Sequence, residues 1–160
     1  MWFDAVDTDK SGEITEQELS NMDWGNLKLS LVTARRLLNL FDRNKTGSVT
    51  FEEYIALHTF LSKAQQVFAM FDQDRSGFLN GIEVVNALSE GGFQVSPQTA
   101  EQLVRTYSRT NNGKLTLEEF INLKTLVATT QRVFEQFDFQ HQGFIQLNHD
   151  TAVAFVSNLI

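Results

Sequence analysis

Apolar residues recur at helical spacing in blocks, and the blocks are divided by short polar stretches with a glycine at the centre. Val32, Leu37, Leu38 and Phe41 form one block. Phe51, Tyr54, Ile55, Leu61, Phe68 and Phe71 form a longer one, with no Gly or Pro between its ends. The spacing predicts one helix over 51–71, about 32 Å long at 1.5 Å per residue. Two helices with a break near Ser62 are the alternative. A second uninterrupted helix is predicted over about 117–137. Ser30 and Ser96 are placed to cap helices, and Pro97 takes the first helical position of the second. Asp23-Trp24-Gly25-Asn26 reads as a connector, and Gly91-Gly92 as a break after a helix ending near Leu88.

The polar stretches share one set of offsets, which is the sign of an internal repeat. Their first positions are Asp7, Asp42, Asp72, Ser108 and Asp138. Position 6 is glycine each time: Gly12, Gly47, Gly77, Gly113 and Gly143. Position 8 is always apolar: Ile14, Val49, Leu79, Leu115 and Ile145. Calcium, a hard cation, takes six to eight oxygen ligands, and a 12-residue loop supplies them from positions 1, 3, 5, 7, 9 and 12. Five chance glycine turns with the same offsets are the competing reading.

The loops differ in chemistry. Loop one offers Asp7, Asp9, Ser11, the Glu13 carbonyl, Thr15 through water, and Glu18. Loop three offers Asp72, Asp74, Ser76, the Phe78 carbonyl and Glu83. Both are expected to bind tightly. Loop two offers Asp42, Asn44, Thr46, Ser48 and Glu53, with Arg43 and Lys45 opposing the ion, so a third, weaker site is expected there. Loop four begins with a hydroxyl, Ser108, and its only charged ligand is Glu119; it reads as structural. Loop five has Gln140 and Gln142 at positions 3 and 5 and His149 at position 12. An imidazole does not replace a bidentate carboxylate for a hard cation.

The loop starts are spaced 35, 30, 36 and 30 residues apart. The shorter steps carry the two long helices. This pairs hands one with two and three with four through their position-8 residues, and leaves the fifth hand alone. Ile145, Val153, Phe155, Val156 and Ile160 would form an exposed apolar face on a monomer, so a dimer through hand five is expected. The alternative is a terminal helix packed back on hands three and four. Only six residues precede Asp7, and a segment ahead of Met1 is expected to complete the first helix.

Composition narrows the class. The 160 residues are 42% hydrophobic, enough for a core, and contain no cysteine, which excludes disulfides and thiolate chemistry. The net charge of −7 argues against a nucleic-acid surface. No apolar run reaches 18 residues and no signal peptide is visible, so a cytoplasmic protein is expected, recruited to membranes when calcium rises. His58, His141 and His149 have no nucleophile arrangement beside them, so no enzyme activity is expected.

With LFDRNKTGSVTFEEY, VFAMFDQDRSGFLNGIEVVNALSEGGFQVS and FDFQHQGFIQL, the chain resembles the penta-EF-hand family over nearly its whole length. The resemblance implies an all-α EF-hand fold of five hands, about eight helices with two long shared ones, and short β-bridges between paired loops. It implies one domain over 1–160, with hands one and two over about 1–60, hands three and four over about 61–125, and hand five over about 126–160. It further implies tight Ca2+ at hands one and three, dimerisation through hand five with a like or related chain, and a calcium-dependent adaptor that takes Pro-rich segments of partner proteins. The sequence departs from the family pattern in the ligands of loop five, and in Phe93-Gln94 where an adaptor member carries Tyr-Arg. With 14 Phe and only 3 Met, a partner groove is expected to be aromatic. A regulatory subunit of a calpain-like enzyme and a calcium buffer are the competing functions.

Overall fold

The computed structural model describes residues 2–109 and 112–159. Among them are eight helices: α1 Trp2–Val6, α2 Glu16–Asn21, α3 Leu31–Phe41, α4 Phe51–Phe71, α5 Gly81–Glu90, α6 Pro97–Tyr107, α7 Leu117–Phe137 and α8 His149–Ser157. Four two-residue strands lie between them: β1 Glu13–Ile14, β2 Val49–Thr50, β3 Leu79–Asn80 and β4 Lys114–Leu115. They form two antiparallel bridges, with Ile14 opposite Val49 and Leu79 opposite Leu115. These four position-8 residues are fully buried, so each bridge is also a core contact.

Both long helices run unbroken, with no interruption of α4 near Ser62. Ser30 and Ser96 cap α3 and α6, accepting from the N–H of Thr33 and Thr99, and Pro97 starts α6. The helices that leave the first four loops begin with a reciprocal cap. In α2, α4, α5 and α7 the third residue is Glu18, Glu53, Glu83 or Glu119, and its carboxylate takes the N–H of the capping residue. The residue at loop position 12 therefore starts the helix as well.

One buried cluster runs from Phe3 through Ile14, Leu37, Leu57, Leu61 and Phe120 to Leu123, spanning both hand pairs. α7 is buried on every side from Glu119 to Thr125. Lys124 lies in that stretch, 5% exposed, with Nζ 4.5 Å above the Phe60 ring. Burial, helped by the nearby Lys63 charge, pulls its ammonium down to about 8.

Three assignments from spacing are corrected. Val32, read as an inward residue of α3, is exposed, and the fully buried neighbour is Thr33. Thr33 can be buried because Glu118 and Asn122 of α7 satisfy its hydroxyl. Phe51 and Ile55 also face outward from α4.

The fifth hand stands apart. Ile145 is half-buried and belongs to no strand among the described residues. None of the described residues of α8 is buried. Phe155 packs edge-on against Phe137, with centroids 5.5 Å apart, while Val153 and Val156 stay exposed. Ile160 lies outside the described residues. No helix among those described is long and apolar enough to cross a membrane.

Candidate metal centres

The turn of each loop is built from the inside of the first six residues. Position 4 is left-handed in loops one, two, three and five: Lys10, Lys45, Arg75 and His141 have φ between 51 and 58°. The glycine two residues on also needs positive φ, +85° at Gly12 and +77° at Gly143, where an L side chain would be strained. The carboxylate at position 1 holds this turn. Asp7 accepts from the N–H of Ser11 at 3.0 Å and of Gly12 at 2.9 Å. Asp42, Asp72 and Asp138 accept from the equivalent pairs at 2.8–3.1 Å. In loop five, the N–H groups of Gln142 and Gly143 hold the Asp138 carboxyl below the usual range.

Position 12 separates the loops. In loop one, Glu18 accepts from the N–H and hydroxyl of Thr8 at 2.9 and 3.0 Å, and from those of Thr15 at 2.9 and 2.8 Å. Both carboxylate oxygens are thus tied across the loop. Burial pushes the Glu18 carboxyl up, but the hydrogen bonds from Thr15 and Thr8 outweigh it and leave it below the usual range. Asp7, Asp9 and Glu18 bring ligand oxygens within 4.8 Å of one another, the only such set of three among the described residues. Ser11 Oγ lies 2.9 Å from the Glu13 carbonyl and 3.5 Å from Asp7. Carboxylates, a hydroxyl and a carbonyl make an all-oxygen donor set that fits calcium and not a softer metal.

Loop two is tied in the same way, with Glu53 accepting from Arg43 and Thr50 N–H at 2.9 and 3.0 Å. The sequence did not reveal that the Glu13 carboxylate accepts from the Ser48 hydroxyl across the bridge. It places a further acid beside a loop whose acids at ligand positions are Asp42 and Glu53. In loop three, Asp72 and Asp74 converge on Ser76 N at 2.9 and 3.0 Å, and Ser76 holds the Asp74 carboxyl below its usual range. Glu83, however, accepts from Asn80 N alone among the described residues, while Gln73 N–H donates to the Phe71 carbonyl. Loop three therefore holds its entry acids without its exit acid. Loop four is closed by Glu119, which accepts from Arg109 N–H at 2.8 Å, but a Ser108–Asn112 hydrogen bond stands where an acid would start the loop. Thr110, at its position 3, lies outside the described residues.

The profile of an EF-hand domain pair matches residues 1–58 and 61–123. Penta-EF hand domain-containing protein 2 of Dictyostelium discoideum is 37% identical over 147 residues, covering 92% of this chain and 71% of that protein. The chain belongs to the penta-EF-hand family. It is a calcium-binding EF-hand protein. Peflin of Danio rerio is 36% identical over 153 residues, 94% of this chain and 57% of peflin, so the chain spans little more than half the length of that relative. A solved homolog of programmed cell death 6 protein from Leishmania major Friedlin superposes with a TM-score of 0.77 at 33% identity, covering 99% of this chain and 88% of its own.

Within this penta-EF-hand frame, a groove of about 520 Å³ runs between α5 and α6, lined by Ile82, Val85, Pro97 and Val104. Asn80, Glu101 and Arg105 share its walls with these aliphatic side chains. Most of the phenylalanines instead serve the core or stand on hand five, where Phe139 and Phe144 are exposed.

Proposed function

We propose that this chain is a calcium sensor and adaptor, with one ion held by Asp7, Asp9, Ser11, Glu13 and Glu18 and another by Asp72, Asp74, Ser76, Phe78 and Glu83. Thr15 completes the first site through water, and a third, weaker ion lies at Asp42, Asn44, Thr46, Ser48 and Glu53. The observation that carries this reading is the convergence of three loop-one carboxylates within 4.8 Å. Such sets give affinities of roughly 10⁻⁷–10⁻⁵ M in sensor hands. Bound calcium would supply the charge that draws these carboxylates together, and the protein's part is to place the oxygens and the helices attached to them.

Glu83 is the link to partner capture. It starts α5, and α5 forms one wall of the groove beside α6. Drawing Glu83 into loop three would move that wall, the change by which calcium exposes a docking surface in sensor hands. The occupant is a Pro-rich segment of a partner protein, bound in the cytoplasm and, through that partner, at membrane surfaces. Residues 1–160 act as one domain, a reading supported by the buried cluster common to both hand pairs. Exposed Val153 and Val156, with half-buried Ile145 and Phe155, support a dimer through hand five, with a second copy or a related chain.

Titration calorimetry on metal-free protein tests the sites: two tight ions are expected, and four or five would refute the assignment. Capture of a Pro-rich peptide with and without calcium tests the adaptor. Glu83→Ala is expected to weaken both ion binding and capture. Calcium-independent capture would favour an enzyme's regulatory subunit, and no capture with intact ion binding would leave a buffer.

A further inference from the structure

Four of the loop-exit helices satisfy the N–H of their capping residue with their own third-position glutamate. α3, the helix that enters loop two, cannot: its third residue is Thr33. The missing acid comes from the other hand pair. Glu118 Oε1, on α7, accepts from Ser30 N at 2.9 Å and from Thr33 Oγ1 at 2.7 Å. Burial pushes the Glu118 carboxyl up, yet Ser30, Thr33 and the Arg109 guanidinium at 3.8 Å outweigh it and keep it below the usual range. The contact continues along the same two helices. Asn122 Nδ2 donates to Thr33 Oγ1 at 2.6 Å, Arg36 donates to Asn122 Oδ1 at 3.2 Å, and Arg132 donates to the Leu40 carbonyl at 2.8 Å, one residue before α3 ends. α6 is the counterpart of α3 in the second pair, and no carboxylate among the described residues takes the N–H of its cap, Ser96.

We infer that Glu118, as a cap supplied in trans to α3, couples the calcium state of loop three, through its bridge to loop four, to that of loops one and two. The path is contiguous. Loop three is bridged to loop four by Leu79–Leu115, and Glu118 follows that bridge by three residues, next to the loop-closing Glu119. At its other end α3 runs into Asp42 of loop two, which is bridged to loop one by Ile14–Val49. Movement of the start of α7 would pull or release the cap of α3, and a two-position element of this kind is what coupling between distant sites requires. By reciprocity, filling loop one would raise the affinity of loop three by the same factor. The shared helix α4 is a separate route between loops two and three, and it does not pass through Glu118. This inference rests on the reading that loops one and three bind calcium.

The test is the affinity of loop one with loop three working and with loop three disabled by Glu83→Gln, by calorimetry and by tryptophan emission. Both tryptophans, Trp2 and Trp24, lie in the first hand pair, so emission reports that pair. The ratio of the two affinities is expected to be about five-fold or more in the otherwise unaltered chain. Glu118→Ala should bring it within about two-fold while leaving loop-one affinity in the Glu83→Gln background unchanged. Thr33→Val, which leaves α7 and the Ser30–Glu118 hydrogen bond in place and removes the Thr33–Glu118 one, should lower the ratio part of the way and covers the case that Glu118→Ala folds poorly. A ratio still near five-fold in both variants would assign the coupling to α4 and overturn the inference, as would a ratio of one in the starting protein. If loop one took no calcium in any variant, the calcium assignment itself would fail, a result distinct from lost coupling.

Discussion

Loops one and five have the same backbone and opposite chemistry. Each has a left-handed residue at position 4, Lys10 or His141, a glycine two residues on, and an aspartate accepting two N–H groups at 2.8–3.0 Å. Loop one then closes on Glu18 and bridges to loop two, whereas loop five ends at His149, whose side chain is exposed, with Ile145 outside any strand. The comparison teaches that the turn does not depend on the ligands at positions 3, 5 and 12. A position-1 carboxylate and a glycine suffice to form it, since their partners lie within six residues. Ion capture additionally needs the acid at position 12, which must be brought back across the loop by the helix that follows.

The largest expected effect is on loop one. Glu18→Gln removes a charge and one of the two carboxylate oxygens, and should lower its calcium affinity by roughly 100-fold, read by calorimetry. The melting curve without calcium should change little, because glutamine can still accept from Thr15. Loop five offers the converse experiment. Gln140→Asp, Gln142→Ser and His149→Glu together should give one additional ion, with an affinity near roughly 10⁻⁴ M, because the turn is already formed. Absence of that ion would mean that pairing with a second loop, and not the ligand set, limits loop five.

The dimer sharpens the same contrast, because hand five is the hand without a described strand partner. Ile145→Asp should convert a dimer in excess chelator to a monomer near 18.2 kDa, measured by sedimentation. An unaltered chain that is already monomeric at micromolar concentration would remove the dimer proposal. The smallest effect is on acid stability. Asp138 is held below its usual range by two N–H groups, so its contribution is fully present above the unfolded value of about 3.9 and is lost as pH falls through the lower folded value. Asp138→Asn should slightly lower stability at pH 7, where the ionised carboxylate contributes, and flatten the profile below about pH 4, where the two proteins converge, read by chemical denaturation across pH.

Much of the loop architecture was legible because it is local. The aspartate, glycine and glutamate of loops one, two and three lie within 12 residues, and their types report the turn and the oxygen donors it offers. The uninterrupted α4 and α7 were equally readable, since only Gly, Pro or a capping residue would have divided them. Harder to read was the buried side of α3, where Val32 suggested an inward face and Thr33 took it. The failure of Glu83 to join Asp72 and Asp74 also left no trace, for its loop matches loop one in residue type.

The sequence by itself determined the glycine turns and the order of the helices, because each depends on contacts between residues a few positions apart. Only the tertiary structure decided that Glu118 caps a helix 85 to 88 residues away, that Lys124 is buried against Phe60, and that Glu13 reaches Ser48 across a bridge. A carboxylate on a helix has the same letter whether it faces water or an N–H from another hand. Its role is fixed by which helix packs against it, and that is settled by the burial of the whole core.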